Sequence, residues 1–69
     1  MIIYDKLWAL MERENVSQYK LVHSGIGNAT LERLKKNQPV NIETINKLCK
    51  ILHCKIEDIA EYVDEESET

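Results

Sequence analysis

A glycine between two short helical patterns is the feature that most constrains this chain of 69 residues. The patterns cover residues 17–24 and 28–36, and Gly25 stands where the first helix must end. Glycine takes the left-handed backbone conformation without steric cost. Ile26 is then a buried plug, and Gly27 or the residue after it caps the second helix. The spacing predicts either a helix-turn-helix, whose second helix enters a DNA major groove, or an αα-hairpin that only packs.

Length and composition favour a single small domain. A chain of this size buries only about 60% of its unfolded surface, which supports one core. Hydrophobic residues make up 43% of the chain, with no Phe and one Pro, and this favours a compact helical bundle over disorder. No apolar run reaches the length of a membrane span, and the first residues lack the pattern of a signal peptide. We expect a cytoplasmic protein with its domain at residues 1–63 and an acidic, disordered tail at residues 64–69.

The charge distribution is more informative than the formal net charge of −3. Residues 1–14 carry a net charge of −1, with two basic and three acidic side chains. Residues 15–55 carry seven basic and two acidic side chains, a net charge of +5. Residues 56–69 carry seven acidic side chains and no basic one, a net charge of −7. A basic middle segment is compatible with nucleic-acid binding even though the whole chain is acidic.

Apolar residues recur at helical spacing in five segments, and no segment reads convincingly as a strand. The first helix runs from about Tyr4 to Glu14, and Ser17 caps the second. Pro39 prevents the third helix from continuing, and Asn41 caps the fourth. The fifth is short and follows a break at residues 53–54. The residues predicted to face inward are Ile3, Leu7, Leu10, Met11, Leu21, Val22, Leu31, Leu34, Ile42, Ile45, Leu48, Cys49, Leu52, Ile56, Ile59, Ala60 and Val63, with Trp8 partly buried beside them.

The ordered set of these segments resembles the lambda-repressor-like, Cro-type helix-turn-helix family, and within it the small stand-alone transcriptional regulators. The resemblance covers about residues 4–63 and rests on residues 17–21, 25–26, 30–34, 40–45 and 48–59. It implies an all-α, compact five-helix DNA-binding domain in which helices 2 and 3 form the helix-turn-helix.

The same resemblance implies which side chains contact DNA. Base-reading positions match Asn28, Ala29, Thr30 and Arg33, and phosphate-binding positions match or adjoin Ser17, Gln18, Lys20, Lys35, Lys36 and Asn37. Chemistry supports Arg33 best, because a planar guanidinium can donate two hydrogen bonds to guanine. The alternative for each residue is ordinary solvated helix surface.

We have two further expectations for the charged residues on and near the third helix. Glu32 is expected to pair with Lys35 or Lys36 at helical spacing rather than to contact a base. Lys47, together with the lysines of helices 2 and 3, is expected to supply affinity for any DNA sequence.

Metal binding and catalysis find no support in the residue pattern. Cys49, His53 and Cys54 are close in sequence, with His23 elsewhere, but the paired Cys-x2-Cys spacing of zinc sites is missing. We interpret both cysteines as buried thiols and expect no disulfide in a cytoplasmic chain. No nucleophile–base set or phosphate-binding loop is present. We therefore expect no metal, no cofactor and no enzymatic activity.

The sequence thus predicts a sequence-specific transcriptional regulator that binds double-stranded DNA with helix 3 in the major groove. A single motif of this size makes few contacts, so we expect a homodimer on a palindromic operator. The alternative is a protein-interaction module on the same fold, such as an antitoxin or an adaptor. We expect neither a membrane nor a small-molecule ligand as a partner, because one small domain leaves no separate sensing domain.

Overall fold

The structure, a computed structural model, describes residues 1–64. Within this range four α-helices follow one another: α1 (Asp5–Arg13), α2 (Gln18–His23), α3 (Asn28–Lys35) and α4 (Ile42–Leu52). A 3-10 turn at Ile56–Asp58 comes after α4. Strands β1 (Ile2–Ile3) and β2 (Glu61–Tyr62) pair antiparallel, with Ile2 opposite Tyr62 and Ile3 opposite Glu61. We call this pair of strands the terminal ribbon.

The predicted helix starts are confirmed by their capping geometry. The Ser17 hydroxyl oxygen accepts a hydrogen bond from the Lys20 backbone N–H at 3.2 Å, at the start of α2. The Asn41 side-chain oxygen accepts one from the Thr44 backbone N–H at 2.9 Å, at the start of α4. Gly27 is the residue before α3 and brings no side-chain cap to it. Two of these three helices therefore have one of their free N–H groups satisfied by a side chain.

All four helices described in residues 1–64 are followed by a residue in the left-handed conformation. These residues are Asn15, Gly25, Asn37 and His53, with φ values of 61°, 109°, 56° and 53°. At Gly25 the chain forms a Schellman motif, in which the Ile26 N–H donates to the Leu21 carbonyl at 3.0 Å. The same motif follows α3, where the Gln38 N–H donates to the Arg33 carbonyl at 2.8 Å. The prediction that Gly25 ends α2 is confirmed.

The core draws on every helix and on the segment after them. The largest fully buried side chains are Leu7, Leu21, Ile26, Leu34, Leu48 and Ile59. Trp8 and Val22 pack against this cluster and are half-buried, which confirms the partial burial predicted for Trp8 and shows that Val22 faces inward only in part. Leu31 and Leu34 bury the inner face of α3, so the orientation of this helix is fixed by two leucines three residues apart.

The predicted fifth helix is wrong: the described part of the chain has four α-helices and one 3-10 turn. The Asp58 carboxylate accepts a hydrogen bond from the Lys55 backbone N–H at 3.0 Å and closes this turn, after which the chain extends and pairs with β1. Ile59 is fully buried and Ala60 half-buried, but Ile56 is 51% exposed and Val63 37% exposed. Cross-strand hydrogen bonds take the place of the helical ones, so the prediction of no strands is also wrong.

Two further apolar residues do not occupy the predicted helical stripes. Ile3 belongs to β1 and precedes α1 instead of lying in it. Ile42 is the first residue of α4 and is 75% exposed, because no element described in residues 1–64 covers that end of the helix. Residues 65–69 of the predicted acidic tail lie outside the described residues.

A long-range hydrogen bond ties the end of α3 to the N-terminal segment. The Tyr4 backbone N–H donates to the Asn37 side-chain oxygen at 2.9 Å, and Tyr4 itself is 5% exposed. Asn37 therefore has two structural tasks, since it also supplies the left-handed residue that ends α3.

Replacing Asn37 with alanine should lower the free energy of unfolding by about 2–3 kcal/mol. About 1 kcal/mol comes from placing a β-carbon in the left-handed region, and the rest comes from leaving the Tyr4 N–H without its acceptor. Asn15→Ala is the matched control, because Asn15 has the same backbone conformation and makes no side-chain hydrogen bond within residues 1–64. Urea denaturation of both variants measures the difference. Equal losses would show that the Tyr4 contact contributes nothing.

Candidate nucleic-acid interface

The exposed face of α3 is set by the two leucines beneath it. Leu31 is 4% exposed and Leu34 is fully buried, so residues on the opposite side of the helix point to solvent. Ala29, Arg33 and Lys36 lie at helical spacing along this outer side, and all three are exposed. This row offers a methyl group, a guanidinium and an ammonium on one continuous face.

The four predicted base-reading residues lie together at the start and middle of α3. Asn28 is its first residue and is exposed, as are Ala29 and Arg33. Thr30 is half-buried, because it is next to Leu31 on the side that turns toward the core. Its hydroxyl therefore lies at the edge of the exposed face, and the other three side chains lie within it.

The predicted phosphate-binding residues divide between the two ends of the motif. Ser17, Gln18 and Lys20 are exposed at the start of α2, where the Ser17 hydroxyl oxygen caps the helix and its proton is still available for donation. Lys35 and Lys36 are exposed at the end of α3. The residues at both ends carry N–H or O–H groups that can donate hydrogen bonds to phosphate oxygens.

Asn37 differs from the other predicted phosphate contacts. It is half-buried, and its side-chain oxygen already accepts the hydrogen bond from Tyr4. Only its amide N–H groups are available for a phosphate. Its structural role is therefore evident from the geometry, whereas its contact with DNA stays a prediction.

The predicted pairing of Glu32 is confirmed with Lys35. The Lys35 ammonium lies 3.6 Å from the Glu32 carboxylate, and both side chains are about half exposed. Lys36 makes no ion pair within residues 1–64, so its full charge is presented at the end of α3. Residues 17–37 contain four basic side chains and one acidic side chain, a net charge of +3.

An aromatic pair on the exposed surface of α2 was not predicted from the sequence. The rings of Tyr19 and His23 have their centroids 4.1 Å apart with planes inclined by 45°, and Tyr19 is 71% exposed. Aromatic residues four positions apart on a predicted helix were the available signal. The pair flanks Lys20 and adds a phenol O–H and an imidazole to the polar surface of α2.

Lys47 reaches this surface from α4. A β-carbon placed on Gly25 would lie 3.9 Å from the Lys47 ammonium nitrogen, so this charge lies beside the turn between α2 and α3. The acidic Glu57, Asp58 and Glu61 belong instead to the 3-10 turn and β2, which pack on α1, α4 and β1. The helix-turn-helix thus carries an excess of positive charge, and the 3-10 turn with β2 carries an excess of negative charge.

Both cysteines are free thiols that pack against the core and are half-buried, whereas the sequence predicted buried thiols. Burial, together with the neighbouring Cys49, raises the pKa of the Cys54 thiol to about 11. A thiol of this kind stays protonated at neutral pH and is a poor nucleophile and metal ligand. Among residues 1–64 no group of three or more His, Cys, Asp or Glu side chains is placed to hold a metal ion. None of the helices in that range has the length and apolar character to cross a membrane.

Removing the Glu32 carboxylate should strengthen binding to any DNA sequence. In Glu32→Gln the Lys35 ammonium loses its ion pair with Glu32, which contributes about 0.5 kcal/mol. The ammonium is then free to bind phosphate, so the affinity for random duplex should rise about twofold or more. The slope of log affinity against log salt should steepen by up to about 1. Fluorescence anisotropy over a salt series measures both quantities. Glu12→Gln, an exposed glutamate of α1 that makes no ion pair within residues 1–64, is the control for net charge alone. The same gain in both variants would contradict a local effect at Lys35.

Comparison with known proteins agrees with this geometry. Residues 6–65 match the family model of the Cro/C1-type helix-turn-helix DNA-binding domain, which confirms the resemblance inferred from the sequence. The fold is similar to the crystal structure of the transcriptional regulator VanUg, form II, with a TM-score of 0.85 and 29% sequence identity. That similarity covers 93% of this chain and 87% of the VanUg chain. No curated protein sequence matches the chain.

Proposed function

The chain belongs to the Cro/C1-type helix-turn-helix family of DNA-binding domains, and from this membership we propose that it is a sequence-specific transcriptional regulator. In this proposal α3 lies in the major groove of double-stranded DNA. The observation that carries it is the exposed row Ala29, Arg33 and Lys36, held outward by the buried Leu31 and Leu34. The similarity to VanUg, which is itself a transcriptional regulator, supports the same function.

Base reading belongs to the N-terminal half of α3. Asn28 can form a bidentate pair with adenine, Ala29 can contact a thymine methyl group, and Arg33 can donate two hydrogen bonds to guanine. Thr30 lies at the edge of this face and can donate to a base or to the adjacent phosphate. Reading of the groove therefore depends mainly on three exposed side chains, of which Arg33 has the longest reach.

Phosphate binding belongs to the two flanks of the motif. Ser17, Gln18 and Lys20 contact the backbone on one side, and Lys35, Lys36 and Asn37 contact it on the other. Lys47 adds charge beside the turn. These contacts fix the position of α3 in the groove and supply affinity without regard to sequence.

The second candidate function is that of a protein-interaction module, such as an antitoxin or an adaptor, and the charge of the helix-turn-helix bears on it. A net charge of +3 over residues 17–37 favours DNA, since an adaptor has no need of a basic helix-turn-helix. Titration with random duplex at low salt separates the two functions. Affinity that falls steeply as salt rises supports DNA binding, and no binding at any salt supports the adaptor. No catalytic role is proposed.

Selection of bound sequences from a random duplex library tests the proposed function most directly. A regulator of this size gains affinity by binding as a homodimer, so the selected sites should contain two inverted half-sites centred about one helical turn apart. If no sequence is enriched but the chain still binds DNA at low salt, the protein binds DNA without sequence specificity.

Arg33→Ala should leave the helical fold intact and relax the preference at one base pair of each half-site. The lost bidentate contact with guanine is worth about 1–3 kcal/mol of discrimination. Arg33→Lys should not restore it, because an ammonium lacks the planar fork. Anisotropy titrations with the selected duplex and with single-base variants of it measure this preference.

Arg13→Ala is the control, since Arg13 is an exposed arginine on α1 whose only described ion pair is with the adjacent Glu14. It should leave discrimination unchanged. Equal loss of affinity by Arg33→Ala on selected and random duplexes would make Arg33 a phosphate contact.

A further inference from the structure

Both cysteines lie at the turn that ends α4, and the backbone of this turn brings them side by side. His53 takes the left-handed conformation, with φ at 53°, and the Cys54 N–H donates a hydrogen bond to the Cys49 carbonyl at 3.1 Å. This bond closes a Schellman motif, in which the side chains at the two ends of the turn commonly contact each other. Two thiols five positions apart in the sequence are therefore neighbours in the folded chain.

The two thiols interact, and both are half-buried. Each packs against the core, makes no disulfide and keeps part of its surface open to solvent. Burial raises the pKa of the Cys54 thiol most, and Cys49 is close enough to add to this effect through its charge and through a hydrogen bond. A small oxidant can therefore reach the pair from solvent while the core holds the two sulfur atoms beside each other.

We propose that Cys49 and Cys54 form a modification site at which a hydroperoxide oxidises the two thiols to one disulfide within the chain. A disulfide requires α-carbons about 4.4–6.8 Å apart and side chains that point toward each other. The backbone hydrogen bond between the two residues keeps their α-carbons close, and the interaction between the thiols meets the second condition. The bond therefore forms without a change in the course of the backbone.

The oxidation proceeds in two steps. In the first, the Cys49 thiolate attacks one oxygen of the hydroperoxide, the O–O bond breaks, and the products are Cys49 sulfenic acid and hydroxide or alkoxide. In the second, the Cys54 sulfur attacks the Cys49 sulfur, the S–S bond forms, the S–O bond breaks, and the hydroxide leaves with the Cys54 proton as water. The two thiols lose two electrons, which the peroxide takes up. A dithiol reduces the disulfide again by thiol–disulfide exchange.

The order of these steps follows from the different surroundings of the two thiols. With a pKa of about 11, Cys54 is protonated at neutral pH, so the first thiolate comes from Cys49. Once Cys49 is a neutral sulfenic acid, its charge no longer opposes the ionisation of Cys54, and the pKa of Cys54 falls. The second attack is also intramolecular, which offsets the small fraction of Cys54 that is ionised.

The disulfide also stabilises the folded chain. The turn holds the two thiols together only when the chain is folded, so the effective concentration of one thiol at the other is higher in the folded than in the unfolded chain. The ratio of these two effective concentrations equals the factor by which the disulfide favours folding. We expect a ratio of about tenfold or more, which corresponds to about 1.4 kcal/mol.

The first measurement treats the reduced wild-type chain with a stoichiometric amount of hydrogen peroxide, alkylates the remaining thiols and determines the intact mass. We expect a monomer that has lost two hydrogen atoms and takes up no alkylating reagent, and peptide mapping should join Cys49 to Cys54. Dithiothreitol should restore both thiols. Disulfides between two copies, or sulfinic acid as the main product, would overturn the proposal without any need for a variant.

Two single variants test the separate roles of the thiols. In Cys54→Ser the reaction should stop at Cys49 sulfenic acid, which dimedone traps, because no second thiol is present. In Cys49→Ser the remaining Cys54 should react with peroxide about tenfold more slowly or less, since burial keeps it protonated. Faster oxidation of Cys54 than of Cys49 would overturn the assignment of Cys49 as the first nucleophile.

The matched control moves one thiol by one residue, in the double variant Cys49→Ala, Lys50→Cys. Lys50 is exposed and follows Cys49 on α4, so its side chain points about 100° away around the helix. The two cysteine pairs are nearly equivalent in the unfolded chain, because they are separated by similar numbers of residues. On folding, the effective concentration should rise about tenfold or more for the native pair and stay unchanged for the moved pair.

Equilibration with reduced and oxidised glutathione, in buffer and in urea, measures these effective concentrations, and circular dichroism verifies that each chain is folded in buffer. Equal values for the native pair in the folded and unfolded chains, or for both pairs in the folded chain, would overturn the proposal. No step of this oxidation involves DNA. A failure to bind any duplex would therefore overturn the proposed function and leave the thiol pair standing.

Discussion

The turn at Gly25 is the constraint on which the rest of this structure depends. With φ at 109°, it sends the chain out of α2 so that the Ile26 N–H bonds back to the Leu21 carbonyl and the Ile26 side chain is 2% exposed. A β-carbon in that backbone conformation would be strained in any environment. Because Ile26 is anchored in the core, the turn fixes the direction in which α3 starts two residues later, at Asn28. The backbone conformation of Gly25, three residues before α3 begins, therefore determines the direction in which the exposed row of α3 faces.

Local chemistry accounts for the part of the fold that the sequence predicted well. These features each depend on interactions within a few residues, so they can be predicted from a single sequence. They are the helix caps at Ser17 and Asn41, the glycine at position 25 and the spacing of the leucines in α3. The exposed face of α3 followed from the same leucines. The pair formed by Tyr19 and His23 was not predicted, although two aromatic residues four positions apart on a helix are also a local signal.

Contacts between distant parts of the chain account for what the sequence did not predict. The terminal ribbon joins residues about 60 positions apart, and strands of two residues are too short to show an alternating pattern. Ile56 and Val63 fitted a helical period and yet are exposed, because β2 pairs with β1 instead of continuing a helix. From the sequence, Asn37 was predicted only as a polar, phosphate-binding residue at the end of α3. Its side-chain oxygen reaches the Tyr4 N–H only in the folded chain.

The separation of charge in the folded chain explains how a protein with a net charge of −3 can present a DNA-binding face. The helix-turn-helix and the adjacent part of α4 carry five basic side chains, Lys20, Arg33, Lys35, Lys36 and Lys47, whereas the 3-10 turn and β2 carry the acidic Glu57, Asp58 and Glu61. Polyanionic DNA is attracted by the first group and repelled by the second, so the field orients the chain before any contact forms.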